Sequence, residues 1–353
     1  MADPKLTEGT LYINRDRDFR TGNWGEYVKI GIVRGDRNAA DRNLEHQTGN
    51  AREILTIHEL FSPMVEHLET QLHHRFASYW VHGEWFEMDN ETVENLVLKE
   101  ANKIIAEQNE SLQDFQAKIE LKDTLSTDAV RSPSNEEQQV AKLCFDAREA
   151  LTIASAKKDI IDAKLRIAIG ENNGIEGIAN LVYKQGSPSF DKNKFMKENE
   201  TLAEQYMEDR EDKLSGSISL AKGKSLADLD SELSDALTEA KSKIPKFKPE
   251  LKSKTPRSMN GLQELHAMYV ESMRDVAESS WEFDRMRARL VRLLGDDKGI
   301  EEIITYNRVM KEQNPAFNLT RFKNENQELY ESYIKDGKES VAVSILPYRA
   351  YKV

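Results

Sequence analysis

Cysteine is nearly absent: Cys144 stands alone among 353 residues, so no internal disulfide can form and no cysteine-based zinc site is available. Long apolar runs are missing too. Only 39% of residues are hydrophobic, and no uninterrupted stretch approaches the roughly 20 residues that a membrane helix needs. The opening MADPKLTEGT has no apolar core of the kind a secretory signal carries. A net positive charge is also lacking: 62 acidic against 50 basic side chains leave −12, which excludes a protein that coats polyanions indiscriminately. A soluble, cytoplasmic protein with no membrane association is expected. At this length, two or three domains are expected rather than one.

What is present is unevenly spread. Six of the seven histidines and three of the four tryptophans fall in the first 85 residues. Two β-like runs there, Thr10 to Ile13 and Tyr27 to Ile30, flank a charged loop with Gly22, Asn23 and Gly25, which predicts a hairpin. Ser62-Pro63 reads as a helix start, and Val65, Leu68, Leu72 and Phe76 form its apolar stripe, predicting a helix over 63–80. From Asn90 a single long helix follows, with apolar Val93, Val97, Ala101, Ile104, Leu112, Phe115 and Ile119. Such an arm needs a partner face, from this chain or from a second copy in a homodimer. Residues 123–137 carry no apolar period and read as a flexible boundary.

The remainder holds an internal repeat. LRIAIGENNGIEGI at 165 recurs as LVRLLGDDKGIEEI at 290, and SFDKNKFMKENETLAEQYMED at 189 recurs as AFNLTRFKNENQELYESYIKD at 316. Each unit reads as a long helix ended by glycine, a short strand, a helix-turn-helix opened by Asp191 or Asn318, and a last strand. Between the units, residues 241–257 carry seven basic side chains, three prolines and one acid, Glu250, and read as an extended basic linker. The expected organisation is α+β: 1–90, a small domain; 91–122, an arm; 123–137, a boundary; 138–221, the first unit; 222–260, a helix and the basic linker; 261–353, the second unit.

Between residues 15 and 42 basic side chains outnumber acids seven to five, inside an otherwise acidic stretch. A cationic face and an ordinary solvated hairpin are both compatible with that. Arg42 and His46 are sharper, because an i, i+4 spacing puts guanidinium and imidazole on one helix face, within reach of a phosphate. Glu69 lies beside the Leu68/Leu72 stripe, where a carboxylate can reach a hard divalent cation from a helix flank. His67, His73, His74 and His82 invite a zinc reading, but His73 and His74 project about 100° apart on a helix and no cysteine supports them.

Taken together, Tyr12 on a first strand, Lys29-Ile30-Gly31 on a second, Arg42-x-x-x-His46, Glu69, and Gly83-Glu84-Trp85-Phe86 resemble the GIY-YIG nuclease superfamily, in the phage branch that reads KIG and closes with GEWF. The resemblance covers about residues 8–90. It implies a small three-stranded sheet flanked by helices, Mg²⁺- or Mn²⁺-dependent cleavage of DNA, and a bacterial or phage-infected cell. Carried over, Tyr12 helps deprotonate the attacking water. Lys29 stands where many relatives have a second tyrosine, and would either depress the Tyr12 pKa or hold a phosphate. Arg42 neutralises charge on the scissile phosphate, His46 shares acid-base work, and Glu69 is the metal ligand, with Glu84 the alternative. Arg34, Arg37, Lys246, Lys248, Lys252 and Lys254 are the candidate DNA contacts outside that set. The repeated unit resembles, over 145–220 and 270–347, the tail of YqaJ-type phage recombination exonucleases. Its aromatics read as core, which implies a unit that positions DNA or binds a protein partner. The rival to an endonuclease is a non-catalytic DNA- or protein-binding adaptor built on the same scaffold.

Overall fold

The computed structural model describes residues 4–35, 39–48 and 50–351. The hairpin forms from β1 (Gly9–Arg17) and β2 (Trp24–Arg34), antiparallel and with Tyr12 opposite Gly31. Strand alternation sends Leu11 and Ile13 into an apolar core and leaves Tyr12 and Asn14 on the other face. Next come α1 (Ala39–Gln47), β3 (Glu53–Ser62), α2 (Val65–Arg75), β4 (Trp80–His82) and β5 (Trp85–Glu87). The sheet has five strands in the order β3-β1-β2-β5-β4, against the three expected. Strand β3 escaped the sequence reading because His58 and Glu59 interrupt its alternation.

The helix expected over 63–80 is shorter, running from Val65 to Arg75 before a 3₁₀ turn at Ala77–Tyr79. Ser62 is not its cap. The Ser62 hydroxyl accepts from the Met64 amide at 3.1 Å and donates to Gln108 at 2.7 Å, while the Val65 amide is taken by the Thr7 carbonyl at 2.9 Å.

The arm is α3 (Asn90–Thr92), a π-helical turn (Val93–Val97) and α4 (Leu98–Glu120), opened by Asp89 accepting from the Thr92 amide at 2.7 Å. Its apolar stripe finds a partner face within this chain. Val93, Val97, Ala101 and Ile104 join the core beneath the sheet, and Phe115 stacks on Trp281 with ring centroids 5.7 Å apart. Trp281 is buried, so Trp281→Ala should cost about 3–5 kcal/mol of stability in denaturant unfolding. A wild-type midpoint in that variant would mean that the arm is not seated there.

The two similar sequence stretches carry comparable series of elements. The first, preceded by β6 (Val130–Arg131), has α5 (Asn135–Ile169), β7 (Gly174–Ile175), β8 (Ala179–Gln185), β9 (Ser189–Phe190), α6 (Lys192–Glu198), α7 (Glu200–Glu204) and β10 (Met207–Leu220). After α8 (Leu226–Leu229) and α9 (Ser231–Ser242), the second has α10 (Gln263–Leu294), β11 (Gly299–Ile300), β12 (Ile304–Phe317), α11 (Leu319–Glu325), α12 (Gln327–Ser332), β13 (Ile334–Lys335) and β14 (Glu339–Ile345). The single β12 thus stands in place of β8 and β9, and β13 and β14 stand in place of β10. Gly170 and Gly295 end the long helices at φ 59° and 62°, a left-handed backbone that favours glycine. Asp191 and Asn318 cap α6 and α11 through the Lys194 and Arg321 amides.

The two units do not sit side by side. The last strand of each lies on the strands of the other: β10 pairs with β12, β14 with β8, and β13 with β9. The contacts are reciprocal. Phe195 meets Phe322 at 4.5 Å, the Tyr206 hydroxyl accepts from Asn326 at 2.6 Å, and the Tyr333 hydroxyl accepts from Asn199 at 2.8 Å. Both connecting segments are anchored to the units, although 123–137 was expected to be a flexible boundary. In 123–137, β6 pairs with β11, and Arg131 grips Glu137 through two bonds of 2.8 and 2.6 Å and Asp297 at 2.7 Å. In 241–257, Phe247 and Leu251 pack on the apolar core around Ile175 and Tyr269.

Candidate active site

Helix α1, AADRNLEHQ, has too few apolar residues to dock by burial, and Leu44 is 72% exposed. Polar contacts seat it instead. Asn14, fully buried in the middle of β1, donates to Asn43 at 2.5 Å; Asn43 donates to Thr56 on β3 at 2.5 Å; and Thr56 donates back to Asn14 at 2.9 Å. Gln47 closes the far end by accepting from the Ile54 amide at 2.8 Å. This triangle aims Arg42 and His46 at the Tyr12 face of the sheet. Asn43→Ala would leave the amide donor of the buried Asn14 unpaired, so a loss of about 1–3 kcal/mol is expected in thermal unfolding; an unchanged midpoint would show that α1 is held by other means.

Tyr12 is buried; the Arg42 guanidinium stands near enough to donate to its hydroxyl, but the hydroxyl proton has no acceptor among the described residues. Burial, and then the Glu84 carboxylate, push its pKa up to about 12, against the opposing pull of Arg42. The phenol is therefore a neutral donor at physiological pH. Gly31 explains itself from the same geometry: a side chain there would stand 2.5 Å from the Tyr12 hydroxyl and 3.0 Å from Glu84 Oε2. Tyr12 and Glu84 meet in the space that glycine leaves.

Lys29 Nζ lies 2.7 Å from His46 Nε2 and 3.2 Å from Glu84 Oε2. An ammonium only donates, so Nε2 accepts and the imidazole proton sits on Nδ1, which is buried without a partner. Burial and then Lys29 lower the His46 pKa, keeping the ring neutral. His46 therefore holds Lys29 in place, and its basic nitrogen is occupied. Arg42 forms an ion pair with Glu45 at 2.5 Å and lies close enough to Tyr12 to act on its charge.

Glu69 projects from α2 toward the same space. Burial, and then Glu84, raise its pKa to about 7, with Arg34 pulling the other way. Arg34 itself pairs with Glu66 at 2.6 Å. The turn carrying Glu84 is fixed by its carbonyl, which accepts from the Ile30 amide at 3.0 Å, and by Trp80, whose indole donates to the Gly83 carbonyl at 2.6 Å.

Tyr12, Lys29, Arg42, His46, Glu69 and Glu84 thus gather at one site, with Arg34 at its edge. Arg37 lies outside the described residues. Lys246, Lys248, Lys252 and Lys254 lie on the segment packed against the duplicated units. The four histidines weighed for zinc have other surroundings: His67 contacts Trp281 and Gln108, and His73 bonds the Ile30 carbonyl. Among the described residues no three His, Cys, Asp or Glu side chains cluster as a metal-holding group. The Asn14, Asn43 and Thr56 triangle was missed in the sequence, although an asparagine inside an apolar strand was its signal.

Residues 9–101, about a quarter of the chain, match the family model of the T5orf172 domain. It is a phage-associated domain of endonuclease context. The match begins at the first residue of β1 and ends in the arm, so this domain includes the whole sheet and every residue of the site above. No curated protein and no solved structure matches the chain. Among the described residues no helix is long and apolar enough to cross a membrane.

Proposed function

We propose that the T5orf172 domain of this chain is a divalent-cation-dependent DNA endonuclease of GIY-YIG type. The observation that carries the reading is the buried Tyr12 hydroxyl, whose proton has no acceptor, set among the Arg42 guanidinium, the Lys29 ammonium and the Glu69 and Glu84 carboxylates. A hydrogen-bond donor left unsatisfied in a buried site is costly unless a ligand completes it. A phosphodiester oxygen or its attacking water would do so.

The donor set fits Mg²⁺ or Mn²⁺: hard carboxylate oxygens, few in number, suit an ion that keeps most of its waters. Glu69, with Glu84 beside it, would hold the ion, which supplies positive charge against the phosphate and acidifies bound water. Tyr12 donates a hydrogen bond, orienting the water or the phosphate without taking a proton. Arg42 turns from Glu45 to the phosphate and offsets the charge that develops there. Lys29, steadied by His46, supplies a second cation next to Glu84.

The adaptor reading is favoured by one observation, the pairing of Arg42 with Glu45, which leaves the guanidinium occupied in the absence of DNA. Calorimetric titration with Mg²⁺ separates the two. Because Glu69 holds its proton up to about pH 7, cation binding should release a proton below that pH. Affinity should rise by up to about tenfold per pH unit until pH 7 and then level off. No Mg²⁺ uptake at any pH would remove the metal-dependent reading, and uptake indifferent to pH would take Glu69 out of the cation site.

A further inference from the structure

The segments that precede α5 and α10 are built on the same backbone plan. Residues 120–132 and 246–258 align at a constant offset, from Leu125 and Leu251 to Arg131-Ser132 and Arg257-Ser258. The Ala129 carbonyl accepts from the Lys298 amide at 2.9 Å, and the Thr255 carbonyl from the Asn173 amide at 3.3 Å. The Arg131 carbonyl accepts from Glu301, and the Arg257 carbonyl from Glu176, both at 2.9 Å. The Arg131 guanidinium donates to the Leu293 carbonyl at 3.1 Å and that of Arg257 to the Ala168 carbonyl at 2.9 Å. Both straps are therefore fastened to the last turn of a long helix and to the strand after it.

Their charges differ. Glu120, Lys122, Ser126 and Asp128 in the first strap correspond to Lys246, Lys248, Lys252 and Lys254 in the second, one net negative charge against four positive. The first strap shows that this backbone does not need lysines at the positions of Lys246, Lys252 and Lys254. All four lysines of the second are exposed, and none has an ion-pair partner among the described residues. Phe247 and Leu251, between them, are half-buried against the core, so the ammonium groups are presented on an anchored segment.

The second strap is also connected to the site. Met259 and Tyr351 both lie against Gly177. Three residues before Tyr351, the Tyr348 ring stands 5.6 Å from both Trp80 and His82, and the Arg349 amide donates to the Trp80 carbonyl at 3.0 Å. Those contacts end one residue from the Gly83-Glu84 turn.

We propose that the second strap, and not the first, is a docking site for the phosphate backbone of duplex DNA, holding the duplex that flanks the bond at the Glu84 site. This rests on the endonuclease reading above for the choice of DNA as the polyanion. Recognition would be electrostatic and indifferent to sequence.

The test uses the full chain and a fluorescein-labelled duplex in EDTA, with affinity measured across a salt series. The variant carries Lys246→Gln, Lys248→Gln, Lys252→Ser and Lys254→Asp; the last two bring in residues that the first strap already accommodates. The slope of log affinity against log salt should fall by about 0.9 for each phosphate that the variant no longer neutralises. Lys122→Gln in the first strap should leave affinity and slope unchanged. A strap variant with wild-type affinity and slope, in a protein that still cuts plasmid, overturns the strap alone. Capture of phosphatidylserine vesicles in place of DNA overturns it as well. A wild type that binds no duplex at any salt overturns both the strap and the endonuclease reading.

Discussion

Glu69→Gln should abolish plasmid cleavage, leave duplex affinity in EDTA unchanged, and make the protein more stable at pH 8. The first two follow from removing the carboxylate that would hold the cation while every group that touches phosphate stays in place. The third follows from the raised pKa. Glu69 titrates near 7 in the folded chain against an ordinary value of 4.5, so the folded state binds the proton more tightly than the unfolded state does. Stability is therefore undiminished below about pH 4.5, falls between 4.5 and 7, where the unfolded chain's carboxylate is ionised while the folded one keeps its proton, and carries the full cost above 7. Glutamine cannot ionise. After allowance for partial exposure, the gain at pH 8 should be about 1–2 kcal/mol, with none at pH 4. A variant that lost activity and stability together would instead point to a damaged fold, and one that kept activity would shift the cation to Glu84.

Arg42→Ala should slow cleavage by about 100-fold or more, the scale of removing one preorganised donor to charge developing in a transition state. Stability should barely move, because the ion pair given up, with Glu45, is largely solvent-exposed. Arg42→Lys should recover only part of the rate, since an ammonium cannot offer the two parallel donors of a guanidinium. Single-turnover rates at saturating Mg²⁺ separate these outcomes. An alanine variant with wild-type turnover would take Arg42 out of the reaction and favour the adaptor reading.

The legibility of this fold in sequence followed the strength of local signals. The β1–β2 hairpin was marked by its turn glycines, and the long helices by uninterrupted apolar periods and terminal glycines at 170 and 295. Strand β3 was hidden because an edge strand with one covered face tolerates His58 and Glu59. Where the arm packs could not be read, since its stripe is the same whether Trp281 of this chain or a second copy covers it. The exchange of strands between the duplicated units was hidden for a similar reason: the sequence repeats whether each copy pairs with itself or with its twin. At the site, residue types with distinctive chemistry stood out by spacing. Asn14, Asn43 and Thr56 did not, because their contribution exists only once three separate elements meet. The placement of the imidazole proton of His46 likewise needed the Lys29 contact, which no spacing rule gives.

The most direct measurement is incubation of the purified wild-type chain with supercoiled plasmid, with Mg²⁺ and with Mg²⁺ plus EDTA, followed on an agarose gel alongside Glu69→Gln. Nicked or linear product should appear with Mg²⁺ alone, and neither EDTA nor the Glu69→Gln chain should allow it. Plasmid that stays supercoiled in every lane at a protein concentration that saturates duplex binding, or cleavage that persists in EDTA, would contradict a cation-dependent nuclease site built on Tyr12, Arg42 and Glu69.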